Sequence, residues 1–205
     1  MAAAQGGPRI APGTRREIGW VNAAIVRALG IAVGGEPPHV FTTLARHRGL
    51  FRRWLLFASA LMPGGKLPRD ESELVILRVA HNARCDYEWV QHERLGRRAG
   101  LTPDEIARVR VGATAPGWTE RRALLLRAAD QLHGERRLGD ELWVALRRLL
   151  DERELIELCM LVGHYEMLAM TLSSLAVEPD PMPDPDAVLP PAARLLQRVA
   201  ARRGG

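Results

Sequence analysis

Apolar residues recur every three or four positions along most of the 205-residue chain, and short polar turns separate the resulting segments. Ile18, Val21 and Ile25, for example, lie at the spacing that places side chains on one face of a helix. Thr14 and Glu17 have the spacing of a capping box, which predicts that this helix begins near residue 14. No segment shows the period-two alternation of a strand, and no hairpin turn is evident. The pattern therefore predicts an all-α fold, a helical bundle.

The same pattern predicts further helices, bounded by glycine, proline and capping residues. The first should end at Gly30 or at Gly34-Gly35, and a second segment should begin after Pro37-Pro38. Thr102 with Pro103 and Glu105 is typical of a helix start, and Gly134 should end a later helix. The remaining predicted helices cover residues 51–62, 70 to about 82, about 85 to 98, 103–111, 119–133, 140–149 and 151–175.

Proline content divides the chain into three regions. Residues 1–13 are rich in alanine, glycine and proline, and we expect a loose tail. Residues 14–178 form the predicted helical domain. Residues 179–205 begin with closely spaced prolines, which predict an extended linker, and end in a short basic amphipathic helix. We expect this last segment to pack on its own subunit or on a neighbouring one.

A weak internal repeat lies within the helical domain. The segment beginning Asp70-Glu-Ser-Glu-Leu resembles the one beginning Asp151-Glu-Arg-Glu-Leu, at an offset of 81 residues. Acidic helix starts followed by leucine are common, so chance is one explanation. The alternative is a domain of two related helical halves packed around one core.

Composition narrows the class of protein. The hydrophobic fraction is 47%, the charged fraction is 26%, and the net charge is +5, as in ordinary globular proteins. The arginines are interleaved with acidic residues, which favours a solvated surface over a nucleic-acid partner. Two cysteines cannot build a disulfide framework, and we find neither a signal peptide nor an apolar run long enough for a bilayer. We therefore expect a soluble cytoplasmic protein without membrane contact.

The candidate chemistry concentrates around Cys85, Glu88 and His92, which stand at offsets 0, +3 and +7. On a helix this spacing places all three side chains on one face. A helix N-terminus and the neighbouring Arg84 would lower the pKa of the Cys85 thiol and favour the reactive thiolate. A buried, unreactive cysteine is the alternative.

Glu88 and His92 also have the spacing of an ordinary surface pair on a helix. The functional interpretation is general acid–base work, in which the carboxylate sets the tautomer of the imidazole. The neighbours Tyr87 and Trp89 favour this interpretation, because they are not typical of a solvated face. Partly buried ionisable groups in apolar surroundings are candidates for function.

Glu73 and His81 extend the candidate set. A carboxylate in the first turn complements the helix dipole, but Asp70 and Glu71 already serve that purpose, so Glu73 is free for another role. His81 stands one helical turn before Cys85 and either lines the same pocket or is a core histidine. The spacing of Cys85, Glu88 and His92 matches no common zinc pattern, and we expect no metal.

With these residues in place, the stretch 73–92 resembles the signature of the carboxymuconolactone decarboxylase family, which includes the alkylhydroperoxidase D branch. The family pattern is a glutamate, eleven residues, Cys-x-x-Cys, and a histidine four positions after the second cysteine. Glu73, Cys85 and His92 match it, and Glu88 stands at the second cysteine position. The surrounding Leu-Val-Ile-Leu-Arg-Val-Ala and Tyr-Glu-Trp-x-x-His are similar to the decarboxylase-like branch. The resemblance covers about residues 40–115 and implies the alkylhydroperoxidase D-like helical fold.

The resemblance implies a cofactor-free lyase acting on a small carboxylated or lactone substrate. His92 would donate a proton, Glu88 would be its partner, and Glu73 would tune the pair or relay protons. The implied pocket and substrate-binding residues are Cys85, His81, Tyr87, Trp89, Arg78 and Arg84, of which the two arginines favour an anionic substrate. The family also implies a homo-oligomer, a trimer or a hexamer.

Two alternatives stay open at this stage. The peroxidase branch uses two thiols, one to attack the peroxide and one to resolve the oxidised form as a disulfide. Here Glu88 replaces the second thiol, so Cys159 would have to lie close to Cys85. The other alternative is a non-catalytic helical assembly protein, in which Glu88 and His92 can be changed without loss of activity.

Overall fold

The computed structural model describes residues 7–33 and 36–180, and within these ranges the chain forms nine helices and no strand. This confirms the predicted all-α fold. The helices are α1 Arg15–Val33, α2 His39–Leu44, α3 Arg48–Leu61, α4 Arg69–Asn82, α5 Asp86–Arg98, α6 Pro103–Val111, α7 Glu120–Glu135, α8 Asp140–Arg147 and α9 Glu152–Leu175.

Capping residues begin several helices where the sequence predicts. The backbone N–H and the hydroxyl of Thr14 both donate to Glu17, each at 2.8 Å. Thr102 and Glu105 form the reciprocal capping box of α6. The N-terminal ends of these two helices are therefore satisfied locally, as their sequence motifs predict.

Glycine positions gave less reliable predictions. Of the two ends predicted for α1, Gly30 is wrong, because the helix continues to Val33. The alternative, Gly34-Gly35, follows directly after Val33 but lies outside the described residues. Gly134 also lies inside its helix: α7 ends at Glu135, and the C-cap residue Arg136 adopts a left-handed conformation with φ 61°. An isolated glycine costs a helix only about 1 kcal/mol, so packing decides whether the helix continues through it.

The chain divides into two compact units, Met1–Phe57 with Ser174–Gly205, and Ala58–Ser173. In the first unit, Ile18, Val26, Ala45 and Phe51 form the buried core. Residues 9–13, which we expected to be loose, are held by hydrogen bonds, for example from Arg9 N–H to the Leu175 carbonyl at 3.0 Å. The predicted linker and basic helix fall almost entirely on residues 181–205, outside the described part of the chain.

In the second unit α4 is the central helix. It packs against α5, α6 and α7, and residues 74–77, in its middle, are fully buried. Two arginines of α7 hold the first turn of α4: Arg121 pairs with Glu71 at 2.9 Å, and Arg122 pairs with Asp70 at 2.5 Å. These pairs neutralise the two carboxylates that precede Glu73, whose own side chain is fully buried.

Helix α9 also belongs largely to the second unit. Among the described helices it alone is long and apolar enough to span a membrane, with a mean hydropathy of 1.4. We expected no such segment. The buried share of this apolar window is 61%, as in the core helix of a globular fold. Its buried polar residues, Glu157, His164 and Glu166, lie among leucines.

Candidate active site

The turn between α4 and α5 positions the candidate residues. Cys85 N–H donates to the Ala80 carbonyl at 2.9 Å and Arg84 N–H donates to the His81 carbonyl at 3.2 Å. This is the hydrogen-bond pattern of a Schellman motif, with Arg84 in the left-handed position at φ 53°. Cys85 then becomes the N-cap residue of α5. The predicted break between the two helices is therefore confirmed.

Glu73 and His92 form the buried centre of the site. His92 Nδ1 lies 2.7 Å from Oε2 of Glu73, whose side chain is 0% exposed. Arg69 Nη2 lies 2.6 Å from the other carboxylate oxygen of Glu73. Because a carboxylate accepts and cannot donate, this contact fixes the proton of a neutral His92 on Nδ1. We expected Glu88 to be the partner of His92, and this is wrong: the partner comes from α4.

Glu88 lies one helical turn before His92 and is only 2% exposed. Neither of its carboxylate oxygens has a hydrogen-bond partner among the described residues. Burial raises the pKa of Glu88 to about 8, and the nearby charge of Glu166 adds to this effect. Glu88 is therefore mostly a neutral carboxylic acid at pH 7 and can donate a hydrogen bond or a proton.

Glu166 joins this group from α9, and the sequence did not identify it. His133 Nδ1 lies 2.6 Å from one oxygen of Glu166, and Arg136 donates to the other at 3.2 Å. A carboxylate inside a largely apolar helix was the only available signal, and α9 carries another at Glu157. Its position next to Glu88 depends on how α9 packs, which helical periodicity does not specify.

Two further α9 residues surround the imidazole of His92. The ring of Tyr165 packs edge-on against it, with centroids 4.9 Å apart, and His164 packs edge-on against Tyr165 at 5.1 Å. Burial raises the pKa of Tyr165 well above its usual value, and the charges of Glu73 and Glu88 add to this. Burial, together with the nearby His92, lowers the pKa of His164 to about 4. Both groups are therefore neutral near pH 7.

Cys85 is buried, and its thiol is less acidic than we expected. Burial, and after it the charge of Glu88, raise the pKa of Cys85 to about 11. The backbone N–H of Glu88 and the hydroxyl of Ser173 oppose this shift but do not reverse it. Near pH 7 the side chain is a thiol rather than the thiolate that the helix N-terminus alone would favour.

Cys159 is not placed to resolve an oxidised Cys85 within one chain. The Cys85 thiol contacts Ser173, which follows Cys159 by fourteen residues on the same helix α9. At 1.5 Å per residue, the two α9 positions are about 21 Å apart. Both cysteines are free. The described fold therefore does not support an intramolecular disulfide cycle.

An open cleft of about 480 Å³ lies at the α4–α5 turn and reaches Cys85. Of the predicted substrate-binding residues, His81, Arg84 and Trp89 line it. Arg110 lines it too, with its guanidinium 3.8 Å from the centroid of the Trp89 ring. The cleft thus combines two arginines with an aromatic surface, and Arg110 was not predicted from the sequence.

Two other predicted substrate-binding residues do not line this cleft. Arg78 pairs with Asp130 at 2.5 Å and donates to the carbonyls of Val109 and Arg110 at 2.8 and 3.1 Å. Arg78 therefore joins α4 to α6 and α7, and its proposed contact with substrate stays a prediction. Tyr87, the second of these residues, is buried.

Within residues 7–33 and 36–180, no three His, Cys, Asp or Glu side chains cluster as metal ligands.

Comparison with known proteins agrees with this architecture. Residues 48–131 match the model of the carboxymuconolactone decarboxylase family. No curated protein matches the chain by sequence. Two similar solved structures are an uncharacterized peroxidase-related protein from Ralstonia eutropha JMP134, described as an alkylhydroperoxidase AhpD core, and one from Silicibacter sp. TM1040. Their TM-scores are 0.77 and 0.75, and their sequences are 18% and 17% identical to this chain. Each match covers 86% of this chain, and the matches cover 94% and 96% of the two other chains.

A third similar structure is the debrominase Bmp8. Its TM-score is 0.68 at 14% identity, and the match covers 93% of this chain and 97% of that one. At such low identities these likenesses show the fold alone. The fold is therefore alkylhydroperoxidase D-like, and the chemistry has to be argued from the residues.

Proposed function

Because residues 48–131 belong to the carboxymuconolactone decarboxylase family, we propose that this chain is a cofactor-free lyase that decarboxylates a small carboxylated or lactone substrate. His92, Glu88 and Glu73 carry the acid–base chemistry in this proposal. The single observation that supports it most is Glu88: a buried carboxyl group without hydrogen-bond partners that is mostly neutral at pH 7.

Keeping Glu88 buried in this way is unfavourable for the fold. An unpartnered polar group costs about 1–3 kcal/mol in a protein interior. Glutamine or leucine would remove the ionisable group, so a purely structural role does not account for a carboxyl here. Active sites commonly hold a carboxylic acid neutral so that it can donate to developing negative charge.

In the proposed reaction the bond to the carboxylate carbon breaks and carbon dioxide leaves. The electron pair stays on the substrate as an enolate, whose oxygen accepts a hydrogen bond from the neutral Glu88. His92 in its imidazolium form then gives the Nε2 proton to the carbon, forming the new C–H bond. Glu73 positions His92 through Nδ1 and stabilises the imidazolium. Solvent returns the proton to His92.

The cleft suggests the class of substrate, although of the proposed catalytic residues only Cys85 lines it, and Glu73, Glu88 and His92 do not. Arg84 and Arg110 provide positive charge, and Trp89 provides a flat apolar surface. Asp86 also lines the cleft, which favours a substrate of one or two negative charges over a highly charged one. A small planar carboxylate fits this chemistry.

The thiol-dependent peroxidase alternative has less support. The pKa of the Cys85 thiol is raised to about 11, and Cys159 is far along α9. The peroxidase-related names of the similar structures describe those proteins, and Glu88 replaces the second thiol here. A non-catalytic helical protein would not need the Glu73–His92 contact, nor a carboxyl at position 88.

The experiment is an assay of carbon dioxide release from carboxymuconolactone and from a series of β-keto acids, with deuterium uptake in D₂O as a second readout. We expect His92→Gln to lower kcat at least 100-fold, because general acid catalysis commonly contributes about 10²–10⁴-fold. Glu141→Gln, which changes an exposed carboxylate on α8, serves as the matched control and should retain full activity.

The pH dependence separates the role of Glu88 from a structural one. Since the pKa of Glu88 is raised to about 8, wild-type activity should fall as pH rises through that value and the acid loses its proton. Glu88→Gln keeps a neutral donor, so its pH profile should lack the step near pH 8 that Glu88 contributes. Equal activity of wild type and His92→Gln on every substrate would contradict the proposal.

A further inference from the structure

Each turnover of the proposed decarboxylation consumes one proton, because the carboxylate leaves as carbon dioxide and the carbon gains a C–H bond. That proton has to come from solvent. Glu73, Glu88 and His92, however, are only 0%, 2% and 8% exposed. A substrate that fills the cleft at Cys85 excludes water from that side. Repeated turnover therefore requires another route by which protons reach the buried groups.

Two ionisable side chains connect Glu88 with the protein surface. The ring of Tyr165 contacts His92, and the next residue of α9, Glu166, lies close enough for its charge to act on Glu88. Oε1 of Glu166 is 2.6 Å from Nδ1 of His133. The side chain of His133 is 34% exposed, and that of Glu166 is 10% exposed. Solvent access therefore decreases stepwise from His133 through Glu166 to Glu88.

These side chains have the chemistry that proton transfer requires. A histidine binds a proton at one ring nitrogen and releases another from the second, so a proton that enters His133 at Nε2 leaves from Nδ1 toward Glu166. Glu88 has no hydrogen-bond partner among the described residues, so none fixes the orientation of its carboxyl group. Rotation of this side chain carries a proton from Glu166 to His92, one helical turn further along α5.

The contacts of Glu73 do not offer an equivalent route. One oxygen of Glu73 lies against Arg69, and arginine does not give up a proton in proteins. Arg136, which donates to the second oxygen of Glu166 at 3.2 Å, has a different effect. Its positive charge favours the ionised form of Glu166, so a proton that arrives at Glu166 passes on to Glu88.

We propose that protons enter the site from solvent through His133 and Glu166, and that Glu88 then delivers them to His92. The inference rests on the proposed function for the step that consumes the proton. For each carbon dioxide released, His92 gives one proton to carbon and takes one from Glu88 at Nε2. Glu88 takes its proton from Glu166, and His133 takes one from solvent. Only bonds to hydrogen change along this route, and no electrons are transferred between its groups.

The first and later turnovers of His133→Gln test the route in the full-length chain. Glutamine still donates to Glu166 but carries no proton through its side chain. After rapid mixing with excess substrate in dilute buffer, the first turnover should keep the wild-type rate, because His92 and Glu88 already hold their protons. Later turnovers should slow about 10-fold or more, since a positioned proton donor contributes about 10²–10⁴-fold, and added imidazole should restore them. The matched control His47→Gln changes an exposed histidine of the other compact unit and should behave as wild type.

A second readout needs no substrate and therefore separates the route from the proposed reaction. Starting above the pKa of Glu88, which is about 8, a light-released proton should protonate this carboxylate. The infrared carboxyl band that Glu88→Gln lacks reports the rate. We expect His133→Gln to slow it about 10-fold or more, and His47→Gln to leave it unchanged. An unchanged rate in His133→Gln would overturn the inference, as would a first turnover slowed as much as the later ones. A slowed band in a chain that decarboxylates nothing would support the route and contradict the proposed function alone.

Discussion

Two buried carboxyl groups lie on adjacent helices of the site, and their surroundings differ. Glu73 on α4 has Arg69 at one oxygen and His92 at the other, at 2.6 and 2.7 Å. Glu88 on α5 is equally buried but has no hydrogen-bond partner among the described residues. The groups that contact a buried carboxyl group, and not its burial alone, therefore decide what chemistry it can perform. The first positions a histidine, and the second holds a proton.

Removing the carboxylate of Glu73 should have the largest effect. Glu73→Gln leaves Arg69 and His92 without their common counter-charge, and breaking a buried ion pair costs about 3–5 kcal/mol. Since Arg69 is partly exposed, we expect the lower end of that range, measured by urea unfolding. The matched control is Glu93→Gln, which breaks a partly exposed pair with Arg97 and should cost less than about 1 kcal/mol. Similar losses for both variants would contradict the comparison.

Replacing Glu88 by glutamine should make the fold more stable than the wild type, by an amount that grows as the pH rises. The pKa of Glu88 is raised from 4.5 in the unfolded chain to about 8 in the folded one, so the wild type loses stability between these two values. Glu88→Gln lacks this loss. We expect its free energy of unfolding to gain on the wild type by on the order of 5 kcal/mol between pH 4 and pH 9. A difference that does not change with pH would show that Glu88 ionises normally.

The smallest predicted effect concerns the neighbouring thiol. Burial is the first cause of the raised pKa of Cys85, and the charge of Glu88 is the second. Glu88→Gln removes only the second cause, so the pKa of Cys85 should fall but stay above its ordinary value, because burial remains. The rate of alkylation by iodoacetamide as a function of pH measures this, with Cys159→Ser as the background. An unchanged profile would mean that the two groups do not interact.

Much of the fold could be predicted from local patterns. The capping box at Thr102 and the break before Cys85 depend on neighbouring residues alone, and both are confirmed. Gly134 shows the limit of such reasoning. Its effect on α7 depends on packing energies larger than the cost of one glycine, and these come from residues distant in sequence.

The candidate site was predictable only in part, for the same reason. Spacing placed Glu88 and His92 on one face of α5, but it favoured a contact between them. The structure instead pairs His92 with Glu73 across two helices. Glu166 was not predicted, because its position near Glu88 depends on how α9 packs. The acidity of Cys85 was predicted in the wrong direction, since burial outweighs the helix N-terminus.

The protonation state of Glu88 is the central claim, and a titration of the glutamate side-chain carboxyls by ¹³C NMR measures it directly. The full-length chain carries the label, and the resonance that disappears in Glu88→Gln identifies the residue. We expect this resonance to titrate near pH 8. Titration near the ordinary value of 4.5 would contradict it, because Glu88 would then be ionised at pH 7 and unable to donate a proton.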